Sequence, residues 1–330
     1  MLTVAPGAPF HLQHGWFDSW SAAFGAIETV GGVMTVRDPL AIGPLRLPRL
    51  RSATNPHSIR FDIAPGAVAD DMLPSRLLRA ARGGVVRLDY LADDARLLAA
   101  AADWAGRHSV TIRAHALSPV TDCREGYSAW LSRRSKRIRQ RLRIGHSALV
   151  DARGCRFEMR READAAMLEQ MFAVERSGWK GRAGTAIADD PATIAFYTLL
   201  ATRAGAADAL RLALLWEGER LVAFEFGILV GRRLALMKVG YDEALAEFSP
   251  GYVLAALHIA ACCDDAAVDW YDKLGNGLTP APYKLRFADG CDTLYRVTLY
   301  PPGPVGAIWR GVDATRALAK SWRDARKAAA

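Results

Sequence analysis

Cysteine is scarce in this 330-residue chain. Cys123, Cys155, Cys262, Cys263 and Cys291 are odd in number, two are adjacent, and no C-x-x-C spacing occurs. Neither a disulfide framework nor a zinc site follows, and the pattern fits a reducing, cytoplasmic setting. No grouping of His, Cys, Asp and Glu reads as a metal site, so no metal is expected. Long apolar runs are also missing. The longest, Val253–Cys263, is interrupted by His258 and is too short to span a bilayer. The opening MLTVAPGAPFHLQHGW lacks a charged start and an apolar block, so no signal peptide is expected. Acidic residues are absent from 133–143, RRSKRIRQRLR, which holds seven basic residues, while the whole chain carries a net charge of +8. The remainder is therefore nearly neutral. That argues against general coating of nucleic acid and for one local anionic contact.

What is present is ordinary for a globular protein: 51% hydrophobic and 24% charged residues, in a chain long enough for one large domain or two smaller ones. Phe17–Phe24 reads as a short amphipathic helix, and Thr29–Val36 and Ala41–Leu47 as strands. Residues 48–66 read as a long ordered loop. Helices are expected at Asp71–Arg82 and Asp93–Gly106, and strands at Val85–Tyr90 and Ser109–Ala116. Tyr127–His146 reads as one long helix with Leu131, Ser135, Ile138 and Leu142 on one face. Helices follow at Glu162–Ser177 and Pro191–Ala204. Three strands, Leu210–Trp216, Arg220–Val230 and Arg233–Val239, are separated by tight turns and should form an antiparallel meander. Strands at Ala267–Tyr271 and Leu294–Tyr300 and a basic amphipathic helix, Val305–Ala330, close the chain. The mixture implies an α/β (α+β) fold.

The stretch Leu234–Val253, LALMKVGYDEALAEFSPGYV, organises the rest. Its apolar strand ends at Gly240, and Ser249 and Pro250 are the residue types of an N-cap and a first helical position. A strand feeding a helix start directs free N–H groups outward in the field of the helix dipole, an arrangement that holds anions. An ordinary capped strand–loop–helix unit would read the same way.

The order of these elements resembles the GNAT acyltransferase fold, and the second half resembles its FemAB-like, CelD-like branch. The carriers are the Arg-rich segment Ser132–Arg143, Ser177-Gly178-Trp179-Lys180-Gly181 with Gly184-Thr185-Ala186-Ile187, Phe196-Tyr197, Gly240-Tyr241-Asp242 with Ser249-Pro250-Gly251, and Tyr283-Lys284. The resemblance covers residues 125–300 well. It covers 10–120 weakly, through Asn55-Pro56-His57-Ser58 and Arg60-Phe61-Asp62. It implies two tandem GNAT-like domains, each with a mixed, largely antiparallel sheet. These would be a degenerate N-terminal domain at 1–122, a basic linking helix at 123–148, the acyltransferase domain at 149–303 and a basic helix at 304–330. It further implies an acyl-CoA co-substrate, acetyl or long-chain, and an amine acceptor. The usual Gly-rich phosphate loop is absent, with only Ser249-Pro250-Gly251 in its place, so a donor other than coenzyme A stays open.

By this resemblance the thioester lies along the strand before the capped helix, with Lys238, Val239, Gly240, Ser249, Gly251 and Tyr252 around the donor and backbone N–H groups at Lys238–Gly240 holding the oxyanion. An amine attacks directly, so a proton acceptor is needed. Glu225 is one candidate, because a carboxylate inside the apolar strand Leu221–Gly227 is costly unless paired or used. Strand alternation puts Glu225 on the face opposite Phe224 and Phe226, and a wet outer strand face is the plainer alternative. Asp272, at a strand end beside Lys273, is another candidate; a surface ion pair is its alternative. Tyr283 is a candidate proton donor to the leaving thiolate, or a core aromatic. Lys180 and Lys284 sit beside Trp179 and Tyr283 and could hold anionic groups or simply lie along the rings. Asp242 could bind an amine or cap a turn, and Tyr241 and Trp179 would border the acceptor. His57 lies on a polar loop, a position open to a site role, whereas His258 sits inside an apolar helix and reads as core. Helix 132–143 could be a solvated face, bind substrate phosphates or lie on an anionic membrane with the terminal helix, giving a peripheral location on the inner face.

Three activities follow. One is acyl transfer to an amine, including a long acyl chain onto a lipid (sphingoid) amine. A second is Fem-type aminoacyl transfer from charged tRNA to a cell-wall precursor, the one case that calls for nucleic acid. The third is a non-catalytic role in polysaccharide or envelope assembly.

Overall fold

The computed structural model describes residues 9–42 and 44–328. Helix α1 (His14–Phe24) is followed by strands β1 (Glu28–Val30), β2 (Val33–Arg37), β3 (Leu40–Ile42), β4 (Leu45–Leu47) and β5 (Arg49–Ser52). Next come α2 (Leu73–Ala80), β6 (Val85–Leu91), α3 (Arg96–Trp104) and the long β7 (Ser109–Asp122). Helices α4 (Tyr127–Ser132) and α5 (Lys136–His146) lead to β8 (Arg156–Arg160), α6 (Ala165–Ser177), α7 (Trp179–Arg182) and α8 (Pro191–Ala206). The meander β9 (Leu210–Glu217), β10 (Arg220–Val230), β11 (Arg233–Tyr241) precedes α9 (Pro250–Asp264). Then come β12 (Trp270–Asp272), α10 (Pro282–Leu285), β13 (Gly290–Tyr300) and α11 (Pro304–Ala328). None of the described helices is long and apolar enough to cross a membrane. The fold is mixed α/β, as expected.

The chain divides into two compact units. One comprises residues up to Ala26, Asn55–Ile59 and Ala116–Thr293; the other comprises Ile27–Thr54, Arg60–His115 and Leu294 onward. These bounds differ from the consecutive segments read from sequence. Within the first unit α1 buries Trp16, Phe17 and Trp20, and Trp16 packs edge-on against Phe196 of α8 at 5.7 Å. An aromatic face of that size contributes several kcal/mol when removed from water.

In the first unit the sheet order is β7-β12-β11-β10-β9-β8. All its neighbours are antiparallel except β11 and β12. β9 and β10 are buried along nearly their whole length, because α6 and α8 cover one face and α9 the other. In the second unit β1, β2, β5, β6 and β13 lie in that order, with β5 and β6 parallel. Trp309 of α11 packs there against Val85 and Tyr300.

Four local expectations are corrected. The single strand at Thr29–Val36 is a hairpin, because Gly31 (φ 58°) and Gly32 (φ 85°) supply the two left-handed positions of a tight turn. The loop at 48–66 contains β5, and β8 lies in a segment assigned to no element. The helix Tyr127–His146 breaks at Arg133. There Ser135 leaves the helical path and caps α5, accepting a hydrogen bond from Ile138 N, so it is not on the apolar face. The basic segment is also less free than its composition suggests. Arg133 pairs with Glu125 and Asp289, and the buried Arg134 pairs with Asp289 and donates to Ala288 O at 2.7 Å.

Candidate active site

β12 pairs with β11 only over Arg233–Ala235, and beyond that point the edge of β11 has no strand neighbour among the described residues. Asp242 N donates to Val222 O of β10 at 2.8 Å. In an antiparallel pair the N–H and C=O of one residue point the same way, and successive residues alternate. Gly240 therefore faces β10, while Val239 and Tyr241 face the open edge. Val239 O confirms this, since it accepts from Lys180 Nζ at 2.7 Å.

A cavity of about 230 Å³ lies against that edge. Val239, Gly240 and Tyr241 form one wall, Gly251 and Tyr252 at the start of α9 another, and Phe224, Leu254 and Phe287 give it an apolar floor. Trp179, Lys180 and Tyr283 stand around it, and Glu175, Glu225, Glu243 and Lys273 supply charge. Gly240 allows this closeness. A Cβ there would lie 2.5 Å from Phe224 Cε1 and 3.3 Å from Glu175 Cα.

Glu225 is not on a wet face. It is 3% exposed, on the side of β10 that α9 covers. Alternation does place it opposite Phe224 and Phe226; Phe226 packs on Tyr197 of α8. Glu225 Oε2 accepts from Tyr271 Oη at 2.6 Å and lies 2.8 Å from His258 Nδ1, while Lys273 Nζ is 3.5 Å from Oε1. Burial would push the carboxyl up, but Lys273, His258 and Tyr271 outweigh it and hold Glu225 below the usual glutamate value. Burial lowers Lys273 and raises Tyr271 well above their ordinary values. A second buried carboxylate, Glu175, accepts from Lys180 Nζ at 2.7 Å and Ile187 N at 2.8 Å, with Lys238 Nζ at 3.5 Å. Burial lowers Lys238, which also lies 5.8 Å over the Tyr197 ring.

Among the residues singled out from sequence, Glu225, Tyr283, Val239, Gly240, Gly251, Tyr252, Trp179, Lys180 and Tyr241 border this one cavity. The others lie elsewhere. Asp272 is fully buried and is not a surface partner of Lys273. It accepts from Ser118 Oγ at 2.5 Å, Leu274 N at 2.9 Å and Arg233 Nη1 at 3.0 Å. Lys284 donates to Leu274 O at 2.7 Å, and burial, aided by Lys273, lowers it to about 8. Asp242 caps the turn Glu243–Phe248 through Ala244 N and pairs with Arg220. His57 stacks on Phe24 and bonds Tyr197 Oη at 3.1 Å; burial lowers it to about 4, so it is neutral near pH 7. Ser249 makes no side-chain cap. The turn before it runs straight into α9 with Ser249 left-handed (φ 57°), not in the extended backbone of an N-cap. Lys238 is drawn to Glu175.

Sequence reasoning passed over Glu175, Lys273, Tyr271 and the role of His258. His258 is buried, as expected, but it bonds a carboxylate 33 residues away, and no spacing signals such a pair.

Residues 132–285 match the family model described as acetyltransferase (GNAT) domain. No match was found among curated proteins. Among solved structures, the chain is similar to the C-terminal domain of a putative lysylphosphatidylglycerol synthetase from Agrobacterium fabrum, at 14% identity, TM-score 0.55, covering 88% of this chain and 87% of that one. It is also similar to L-PGS from Bacillus licheniformis, at 12% identity, TM-score 0.53, covering 92% and 96%. The figures for FemX are 10% identity, TM-score 0.57, 92% and 94%. At these identities the likenesses concern the fold.

Proposed function

We propose that this chain, whose residues 132–285 match the family model described as acetyltransferase (GNAT) domain, is an acyltransferase that moves a short acyl group from acyl-coenzyme A to an amine. The reading is carried by one observation: the outward-facing backbone of Val239 and Tyr241 and the ionised Glu225 border the same small cavity. In this reading the amides of Val239 and Tyr241 hold the thioester oxygen as it gains charge. The amine attacks the carbonyl carbon, and Glu225 takes its proton. A carboxylate held low is always in the accepting state near neutral pH, at the cost of a weak driving force. Lys273 and Tyr271 keep it ionised. The Tyr283 phenol, raised by burial, stays protonated and gives its proton to the departing thiolate.

In this reading the cavity size favours a short acyl group. A 150 Å³ cavity holds benzene, so one of about 230 Å³ takes about nine non-hydrogen atoms. That suits a short acyl group and weighs against a long chain on a sphingoid amine. Acetyl-, hexanoyl- and palmitoyl-coenzyme A, compared by kcat/KM, test this: activity should be highest with the first two. Failure of all three to bind would remove coenzyme A as the donor.

A second reading, aminoacyl transfer from tRNA, draws support from the similarity to structures titled for lysylphosphatidylglycerol synthesis and FemX. It is also supported by the exposed Lys136, Arg137, Arg141 and Arg143 on α5. Steeply salt-dependent tRNA binding would favour it.

A further inference from the structure

We propose that the second unit holds a phosphate-binding site of its own, in a cavity of about 310 Å³ under helix α11. Its walls come from β6, β7, β13 and α11, all within that unit. Four guanidinium groups line it, Arg87, Arg113, Arg296 and Arg316, against a single lining carboxylate, Asp313. Two of the four are accounted for. Arg296 is held by Asp89, with Nη2 to Oδ2 at 2.9 Å. Arg87 pairs with Asp313, which also accepts from Tyr300 Oη at 2.9 Å. Arg87 is 8% exposed, yet its Nε–H has no hydrogen-bond partner among the described residues. A buried charged donor left unmade is costly.

Arg113 and Arg316 are exposed at the same cavity, and neither has an ion-pair partner among the described residues. Like charges gathered around one hollow repel one another unless an anion sits among them. The fork of a guanidinium matches phosphate oxygens in pairs, and the Thr111 and Thr298 side chains add hydroxyls to the lining. The volume, at the lower end for small-molecule sites, suits a phosphate with a small organic substituent or a diphosphate. This site does not depend on the acyl-transfer reading, because it shares no residue with the first cavity.

The test is calorimetric titration of the full chain with pyrophosphate and with glycerol 3-phosphate, at constant ionic strength set by sodium chloride. At least one should bind, and which binds tighter tells a diphosphate from a monophosphate ligand. An Arg113→Ala/Arg316→Ala double variant, with both changes at exposed positions, should fold normally and keep its acyltransfer rate. It should bind roughly tenfold or more weakly. An Arg137→Ala/Arg141→Ala control on α5 should bind as the wild type does. Absence of binding by the wild type, an unchanged affinity in the first variant, or an equal loss in the α5 control would overturn the proposal.

Discussion

Replacing Lys273 by Met would remove the cation that keeps Glu225 ionised while leaving a side chain of similar length on the Tyr271 and Phe287 rings. Its Nζ sits 4.9 Å and 4.7 Å from those ring centres. The Nζ–Oε1 distance of 3.5 Å gives about 5 kcal/mol of attraction at an effective dielectric of 20. Breaking a buried pair from one side costs about 3–5 kcal/mol. Both groups are buried, so solvent screening subtracts little. With Lys273 gone, the largest influence that lowers Glu225 is lost, and its pKa rises toward the ordinary glutamate value. The pH dependence then weakens. In the wild type a carboxyl lowered on folding contributes stability above 4.5 that is lost as pH falls through the folded value. In the variant that contribution is smaller, because the Lys273 attraction no longer favours the ionised form. The deficit of the variant should therefore narrow on acidification. Urea unfolding between pH 4 and 8 reads this directly, and the acidic limb of kcat/KM should move to higher pH. A variant with the wild-type acidic limb and a pH-independent deficit would refute the assignment of Lys273 as the group that sets Glu225.

Glu175→Gln leaves the ammoniums of Lys180 and Lys238 facing each other without their shared carboxylate, and urea midpoints should show a loss of about 3 kcal/mol. Gly240→Ala drives a Cβ into Phe224 and should cost about 1–3 kcal/mol in stability with a larger fall in kcat, since Val239 and Tyr241 move with it. Tyr283→Phe keeps the ring and removes the phenol. We expect kcat down by about 100-fold, donor KM within twofold and a melting temperature nearly unchanged. Asp272→Asn weakens the ties to Arg233, Ser118 and Leu274 and should lower stability by a few kcal/mol, while kcat measured well below the melting temperature stays within a few-fold.

The meander and the helix after it could be read from residue pattern, because β9–β11 are long, apolar and punctuated by Glu217-Gly218 and Gly231-Arg232. Alternation also put Glu225 on the right side of β10. Pattern could not say whether that side was wet, since burial depends on α9 docking there, a contact between segments some thirty residues apart. The same limit hid Glu175, an ordinary helix acid until α6 packs by β11 and two lysines reach it. Ser249 failed for the opposite reason. Its residue type is right for a cap, but the preceding turn forces it left-handed. The basic segment misled through composition alone, which counts charges but not the Glu125 and Asp289 partners of Arg133 and Arg134.

The edge of β11 as an acyl cradle is tested most directly by a crystal structure with acetonyl-coenzyme A, whose ketone copies the thioester carbonyl but cannot be transferred. The account predicts the ketone oxygen about 2.7–3.1 Å from the amide nitrogen of Val239 or Tyr241, with Glu225 facing the carbon. An analogue bound elsewhere, with the cavity at Glu225 empty, would contradict it.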